Sequence, residues 1–465
     1  MPASETRPAP PTRDIACWVA ALSYDEIPER TRTVARCAIL DTLGCGLYGY
    51  RTPWAALLLQ WARAGGGRPV ATVWGDRTPS LRAADAALVN GTSAHAFELD
   101  DYHNAKLHPG AVVVPAALAM AEQTGADGKR LVTAIVAGYE VMIRTSLALN
   151  PSAARLRGWH LTGVCGPQGA AAACAVLLGL DAEHTAWALG LAGTQGAGLW
   201  AFNADGTMSK RLHAGKAAHS GVLAAELAAS GYTGPTQIYE FEDGGMLKAY
   251  SDMSDPAPLT RGLGRVYHLD DTAIKPYSCC GSTHAYVDAA LTLRRKLGTP
   301  WDASRSVCVG TSKVVDVQCG FDYTPSTALN AQMSLRYIVA AALLDGQALP
   351  PQFSEDRIAN HEIVELARRL TLVRDPDLDQ LYPVHFAGWV AAQHQGEWVR
   401  ADILNPSGSP AAPIDARGIT EKFRGINQQS PVEAIADAAL HIESHSVAEL
   451  LQLASSDAPL KRRTA

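Results

Sequence analysis

The chain has 465 residues, more than one hydrophobic core usually serves, and its 47% hydrophobic and 18% charged residues are ordinary for a globular protein, so two domains are expected. A net charge of −6 without long charge runs argues against a nucleic-acid partner. Nine cysteines with no Cys-x-x-Cys pair, an N-terminus without an apolar signal core, and no membrane-length segment free of Gly or charge predict a cytoplasmic protein with free thiols and no membrane association.

Residues 1–12, rich in Pro and polar groups, read as a loose arm. From about 14 to 265 the pattern is helical. Residues 31–50 place Val34, Ala38, Leu40, Leu43 and Leu47 near helical spacing. Ala-rich helices are predicted over 81–101, 111–124 and 129–149, the last two divided by the turn at 124–128. Residues 166–181, 181–195 and 210–231 complete the series, and their many small residues predict close helix packing. After about 265 the composition changes. The β-branched stretch 306–318 reads as extended, and 386–404 as a hairpin around Gln395-Gly396, with helices at 333–346 and 361–370 between them. This α+β pattern defines a second domain from about 266 to 410. Residues 430–454 return to helix, and the basic triplet Lys461, Arg462 and Arg463 reads as a solvated terminus.

Four stretches carry candidate chemistry. The densest runs from His95 to Gly110 and holds Glu98, Asp100, Asp101, His103, Lys106 and His108 between two apolar helices. Such a loop can present acid–base groups, and equally a set of helix-capping carboxylates. Asp and His also suit a metal, but the spacing matches neither His-Glu-x-x-His nor an EF-hand, so no metal is expected. Residues 158–170 form a Gly-rich turn opening a helix, with His160 beside it. This is neither a P-loop nor a dinucleotide fingerprint, and tight helix packing alone would account for the glycines. Residues 203–218 hold Lys210, Arg211, His213 and Lys216. Lys210, His213 and Lys216 share one helical face, which can grip carboxylates or simply face solvent. Residues 274–290 hold Lys275, Cys280 and His284. Cys280 is a nucleophile only if its pKa is lowered, and a buried structural thiol otherwise.

In their order and spacing these stretches resemble the MmgE/PrpD family of dehydratases, decarboxylases and epimerases, over most of the chain from residue 35 to the ITEKFRG stretch at 419–425. The resemblance implies a mainly α fold. It has a large all-helical domain built from both chain ends, here 1–265 and 411–465, plus a smaller α+β lid domain, here 266–410. It also implies a homodimer, an active site in the cleft between domains, and no metal or organic cofactor. In the decarboxylase branch the loop runs Asp-Phe-Asp-Asp-Thr followed by His-Pro. Here Glu98 takes the first Asp position, Asp100 and Asp101 the next two, Tyr102 the Thr position, and His108-Pro109 the His-Pro. His160, Lys210 and Lys275 match a histidine and two lysines of that active site, and Cys280 replaces a histidine.

The implied chemistry is proton transfer next to a carboxylate of a small di- or tricarboxylate. Lys210, Lys275 and Arg211 would stabilise developing charge. His108 would serve as general acid or base, and His160 would bind a carboxylate or deliver a second proton. Glu98 or Asp101 would orient a histidine or act on the opposite face. Tyr102, His103, His213 and Cys280 complete the substrate-binding set. A lyase is the leading expectation, with an epimerase of a substituted succinate, a catalytically inactive helical binding protein and a metal hydrolase as alternatives.

Overall fold

The computed structural model describes residues 10–76, 81–205, 207–382, 384–428 and 430–455. The basic triplet and residues 1–9 of the expected arm lie outside them; the end of that arm, from Pro11, already belongs to a helix, Pro11–Ala21 (α1). The chain divides into two units. One runs to Ala96, from Asp100 to Thr272, and again from Ala416; the other comprises Phe97–Leu99 and Ala273–Asp415.

Among its described residues the first unit is built from helices: Glu29–Gly49 (α2), Ala83–Ala94 (α3), Gly110–Thr124 (α4), Gly128–Ala148 (α5), Leu161–Leu178 (α6), Ala182–Gly193 (α7) and Ser209–Ala229 (α8). Their limits follow local chemistry. The Asp127 side chain accepts from the Arg130 N–H and starts α5, and Asp181 does the same for α7 through His184. Gly125 and Gly179 end α4 and α6 in the left-handed region.

The helices meet through glycines. A Cβ on Gly215 of α8 would lie 2.2 Å from the Leu88 carbonyl oxygen, and one on Gly91 of α3 would lie 2.9 Å from the Gly215 Cα. Gly138 of α5 and Gly169 of α6 approach each other's carbonyl oxygens in the same way. The expected Gly-rich turn at 158–170 is therefore corrected: the helix begins at Leu161, and Gly163, Gly166 and Gly169 lie inside it, at positions where any side chain would collide. Helices α5 and α6 are long and apolar enough to cross a membrane, but both are almost wholly buried within the protein. Helix α5 also carries a fully buried Arg144, which donates to Glu140 and to the Pro258, Arg261 and Val266 carbonyls.

The second unit holds His284–Leu297 (α9), Val307–Thr311 (β1), Lys313–Cys319 (α10), Leu335–Asp345 (α11), His361–Arg369 (α12), Thr371–Arg374 (β2), Gly388–His394 (β3) and Glu397–Ile403 (β4). The sheet order is β2-β1-β3-β4, with β1 parallel to β2 and antiparallel to β3. The hairpin turns at Gln395-Gly396 as expected, both at positive φ, as a two-residue turn requires. The stretch 306–318 is not extended throughout: Ser312 caps α10 by accepting from the Val315 N–H, so the strand ends at Thr311.

The chain then returns to the first unit through Ala416–Ile426 (α13), Val432–Leu440 (α14) and Val447–Ser455 (α15). The single helix expected over 430–454 is broken in two around residues 441–446. A buried ion pair, Lys422 Nζ to Asp41 Oδ1 at 2.5 Å, ties α13 to α2. The fold is mainly α with a small α+β part, as the sequence implied.

Candidate active site

Helix α3 stops at Ala94, short of the expected residue 101, and the chain crosses to α4 in a loop that carries the polar cluster. His95 caps the end of α3 and is buried. Its Nδ1 lies 2.7 Å from Asp100 Oδ2, and the same oxygen lies 3.3 Å from His108 Nδ1. The His108 Nδ1 also meets the Asp101 backbone oxygen at 2.9 Å. A carbonyl can only accept, so Nδ1 of His108 carries the proton and Nε2 presents the lone pair. This is the arrangement an acid–base histidine needs: an oriented ring with a carboxylate behind it. Burial pushes the Asp100 carboxyl up, but the imidazoles of His95 and His108 outweigh it and hold Asp100 well below the usual range. Burial drives His95 the other way, down to about 4, so the ring stays neutral.

His160 occupies the N-cap position of α6, where its side chain makes no capping bond and faces the other histidines instead. Its ring stacks on His95 at 6.1 Å, and its Nδ1 lies 2.9 Å from the Nδ1 of His213 on α8. Trp200 and Phe202 pack edge-on against it. Burial, and then the neighbouring His95 and Lys210, hold His160 well below its ordinary pKa. Burial and Lys210 also lower His213. Lys210 is buried at the start of α8, close enough to act electrostatically on His95, His160 and His213. Lys216, on the same helical face, is exposed and donates to Ser220. Of the face expected from spacing, Lys210 and the neutral ring of His213 stand beside the histidine cluster, and Lys216 is turned to Ser220.

Other expected site residues are placed differently. Both carboxylate oxygens of Asp101 are engaged, by the Tyr139 hydroxyl at 2.7 Å and by the Gly110 N–H at 2.8 Å. Asp101 anchors the start of α4, and its side chain is held in that role by two donors; burial raises it to about 7. Its backbone oxygen orients His108. His103 Nδ1 accepts from the Ala105 N–H in its own turn, and among the described residues no ring contact joins it to the histidine cluster. Burial and His268 lower it to about 3. Arg211 donates from Nε to the Ala96 carbonyl at 2.7 Å and lies over the Trp54 ring at 4.4 Å. Tyr102 is half-buried in the loop.

Glu98, Lys275 and Cys280 belong to the second unit. Lys275 is buried, with Nζ 3.3 Å from Glu98 Oε2 and 3.2 Å from the Glu98 backbone oxygen. Glu98 holds a φ of 54°, uncommon for a side-chain-bearing residue and maintained only where the surroundings impose it. Beside it, the Phe97 backbone oxygen accepts from Ser278 Oγ and Gln332 Nε2. Cys280 is not an isolated buried thiol: the Cys319 thiol and the Ser282 N–H hold it below the ordinary thiol range against burial, and Cys319 is raised in turn.

His95, Asp100 and His108 offer ligand atoms within 4.8 Å of one another, enough to hold a metal ion. Their hydrogen bonds argue for a relay instead, since Nδ1 of both rings is directed at Asp100 Oδ2 and the His108 Nδ1 proton is fixed by a carbonyl. The sequence places His95 at the edge of the polar run but assigns it no role, because residues 81–101 read as one helix.

A description of the MmgE/PrpD N-terminal domain matches residues 13–259, and one of the MmgE/PrpD C-terminal domain matches residues 277–446. A cis-aconitate decarboxylase of Aspergillus terreus (strain NIH 2624 / FGSC A1156) is 31% identical over 458 residues, covering 93% of each chain. A cis-aconitate decarboxylase-like protein of Aspergillus oryzae is 30% identical over 96% of this chain and 97% of its own. The cis-aconitate decarboxylase of Homo sapiens is 30% identical over 79% of this chain and 77% of its own. Both halves of the fold and nearly the whole length are thus accounted for, and the chain belongs to the MmgE/PrpD family of enzymes.

Proposed function

We propose that the chain is a cofactor-independent lyase that decarboxylates cis-aconitate or a close tricarboxylate. The observation that carries this reading is His108, with Nδ1 fixed by the Asp101 carbonyl, Asp100 behind it, and a buried lysine, Lys210, acting on the same histidine cluster. The names of the relatives supply the substrate.

When a carboxylate leaves as carbon dioxide, the electron pair of the broken C–C bond spreads over the adjacent double bond and the remaining carboxylate. Lys210 stabilises that charge, and His108, as the imidazolium with protons on both Nδ1 and Nε2, delivers the Nε2 proton to carbon and is left as the neutral ring with its lone pair on Nε2. The neutral imidazole of His160, with its proton on Nε2, donates to a second carboxylate. Glu98, Lys275 and Cys280 are proposed members of the substrate-binding set on their motif positions alone. Glu98 and Tyr102, standing where the decarboxylase pattern has Asp and Thr, favour one second reading: an epimerase that returns the proton to the other face of a substituted succinate.

The test is proton NMR in D2O with cis-aconitate and iminodisuccinate. New vinyl signals with carbon dioxide release from cis-aconitate, unaffected by a chelator, are expected. Exchange beside a carboxylate with no change of skeleton would replace the lyase with the epimerase. Turnover lost on chelation would overturn the metal-free mechanism.

A further inference from the structure

We propose that His95 is a positioning residue that sets the protonation behaviour of His108 by sharing the Asp100 carboxylate with it. This rests on the reading of His108 as the acid–base group.

The geometry is a competition for one oxygen. Asp100 Oδ2 receives Nδ1 of His95 at 2.7 Å and Nδ1 of His108 at 3.3 Å. An ionised carboxylate only accepts, so both nitrogens carry protons. The shorter bond belongs to His95, and His108 is anchored mainly by the Asp101 carbonyl. The other Asp100 oxygen, Oδ1, and the far nitrogen of His95, Nε2, are buried with no hydrogen-bond partner among the described residues. The carboxylate thus has an unused acceptor, and its orientation is set by His95 alone at short range. The two rings are 4.6 Å apart.

Other charged or titratable groups face this set from each packed element. His160 comes from the start of α6 and Lys210 from α8. Asp101 and Tyr139 lie behind the loop, with Asp41 of α2 and Lys422 of α13 beyond them. None of these bonds Asp100 directly in the contacts described above, and His95 does. Removing the His95 donor frees Oδ2 for His108 and strengthens the protonated form of that ring.

Two measurements on the whole protein test this. In histidine 15N NMR without substrate, His95 is expected to be protonated on Nδ1 and bare on Nε2 throughout pH 5–8. In His95→Leu, the titration midpoint of the His108 resonance should move up by roughly half to one unit. In His95→Asn, whose amide keeps a donor near the Nδ1 position, it should return towards the parent value. With a substrate in hand, the alkaline limb of the rate profile, where His108 loses the proton it delivers, should move up by the same amount while KM changes less than about twofold. A His95 that carries its proton on Nε2, or titrates within pH 5–8, overturns the proposal even if His95→Leu does not fold. So does a folded His95→Leu whose His108 midpoint stays put. Because the NMR arm needs no turnover, loss of the lyase reading would leave it intact and separately judged.

Discussion

His160 and His213 face each other Nδ1 to Nδ1 at 2.9 Å, so one ring donates and the other accepts, and a single proton lies between them. Both are held neutral by burial with Lys210 nearby. His213→Leu leaves the buried Nδ1 of His160 without its partner and releases the ring from its orientation. Turnover of cis-aconitate is expected to fall about tenfold to a hundredfold, with His213→Asn recovering part of it. Equal rates in His213→Leu and the parent would remove this pair from the mechanism.

The Asp41–Lys422 pair joins residues 381 positions apart and is buried on both sides. Lys422→Met leaves Asp41 charged in a dry place, at a cost of about 3–5 kcal/mol. Adding Asp41→Leu removes the stranded charge and should recover most of that loss. Urea denaturation of the two single variants and the double variant reads the coupling directly, and strictly additive losses would contradict it.

His103 predicts a specific acid sensitivity. In the unfolded chain a histidine takes up its proton near pH 6.5, whereas folded His103 does so only near 3. Between those values the unfolded chain binds the extra proton, so stability falls as pH falls. His103→Asn keeps an acceptor for the Ala105 N–H but cannot be protonated. Between pH 7 and 5 it should lose about 2 kcal/mol less than the parent. Parallel losses in urea denaturation at the two pH values would show that His103 is not held neutral.

Gly215→Ala places a methyl group 2.2 Å from the Leu88 carbonyl oxygen, where neither backbone can yield cheaply. A helical Gly→Ala change ordinarily stabilises by about 0.5–1 kcal/mol; here the sign reverses, with an expected loss of about 1–3 kcal/mol or more. Thermal denaturation decides it, and an unchanged or raised Tm would mean that α3 and α8 separate readily.

Period and composition made the long helices and the hairpin legible, because Ala-rich helices and a Gln-Gly turn carry their signals locally. The helix Lys313–Cys319 was hidden because its valines match a strand, and only the Ser312 cap marks the change. In the candidate site, residue density located the loop but not the direction of each ring. Nothing in the spacing tells that Arg211 turns to Ala96 and Trp54, or that His103 folds back on Ala105, while His95 turns toward Asp100. Those choices are made by partners far apart in the chain, which periodicity does not encode.

The His108 ring takes its orientation from a main-chain oxygen at position 101. Every amino acid supplies that oxygen. Exchanges at neighbouring loop positions, such as Glu at 98 and Tyr at 102, therefore alter what the loop meets without re-aiming the base. Substrate preference and proton transfer can drift independently in such a loop, and a lineage can change its acid without rebuilding its catalyst.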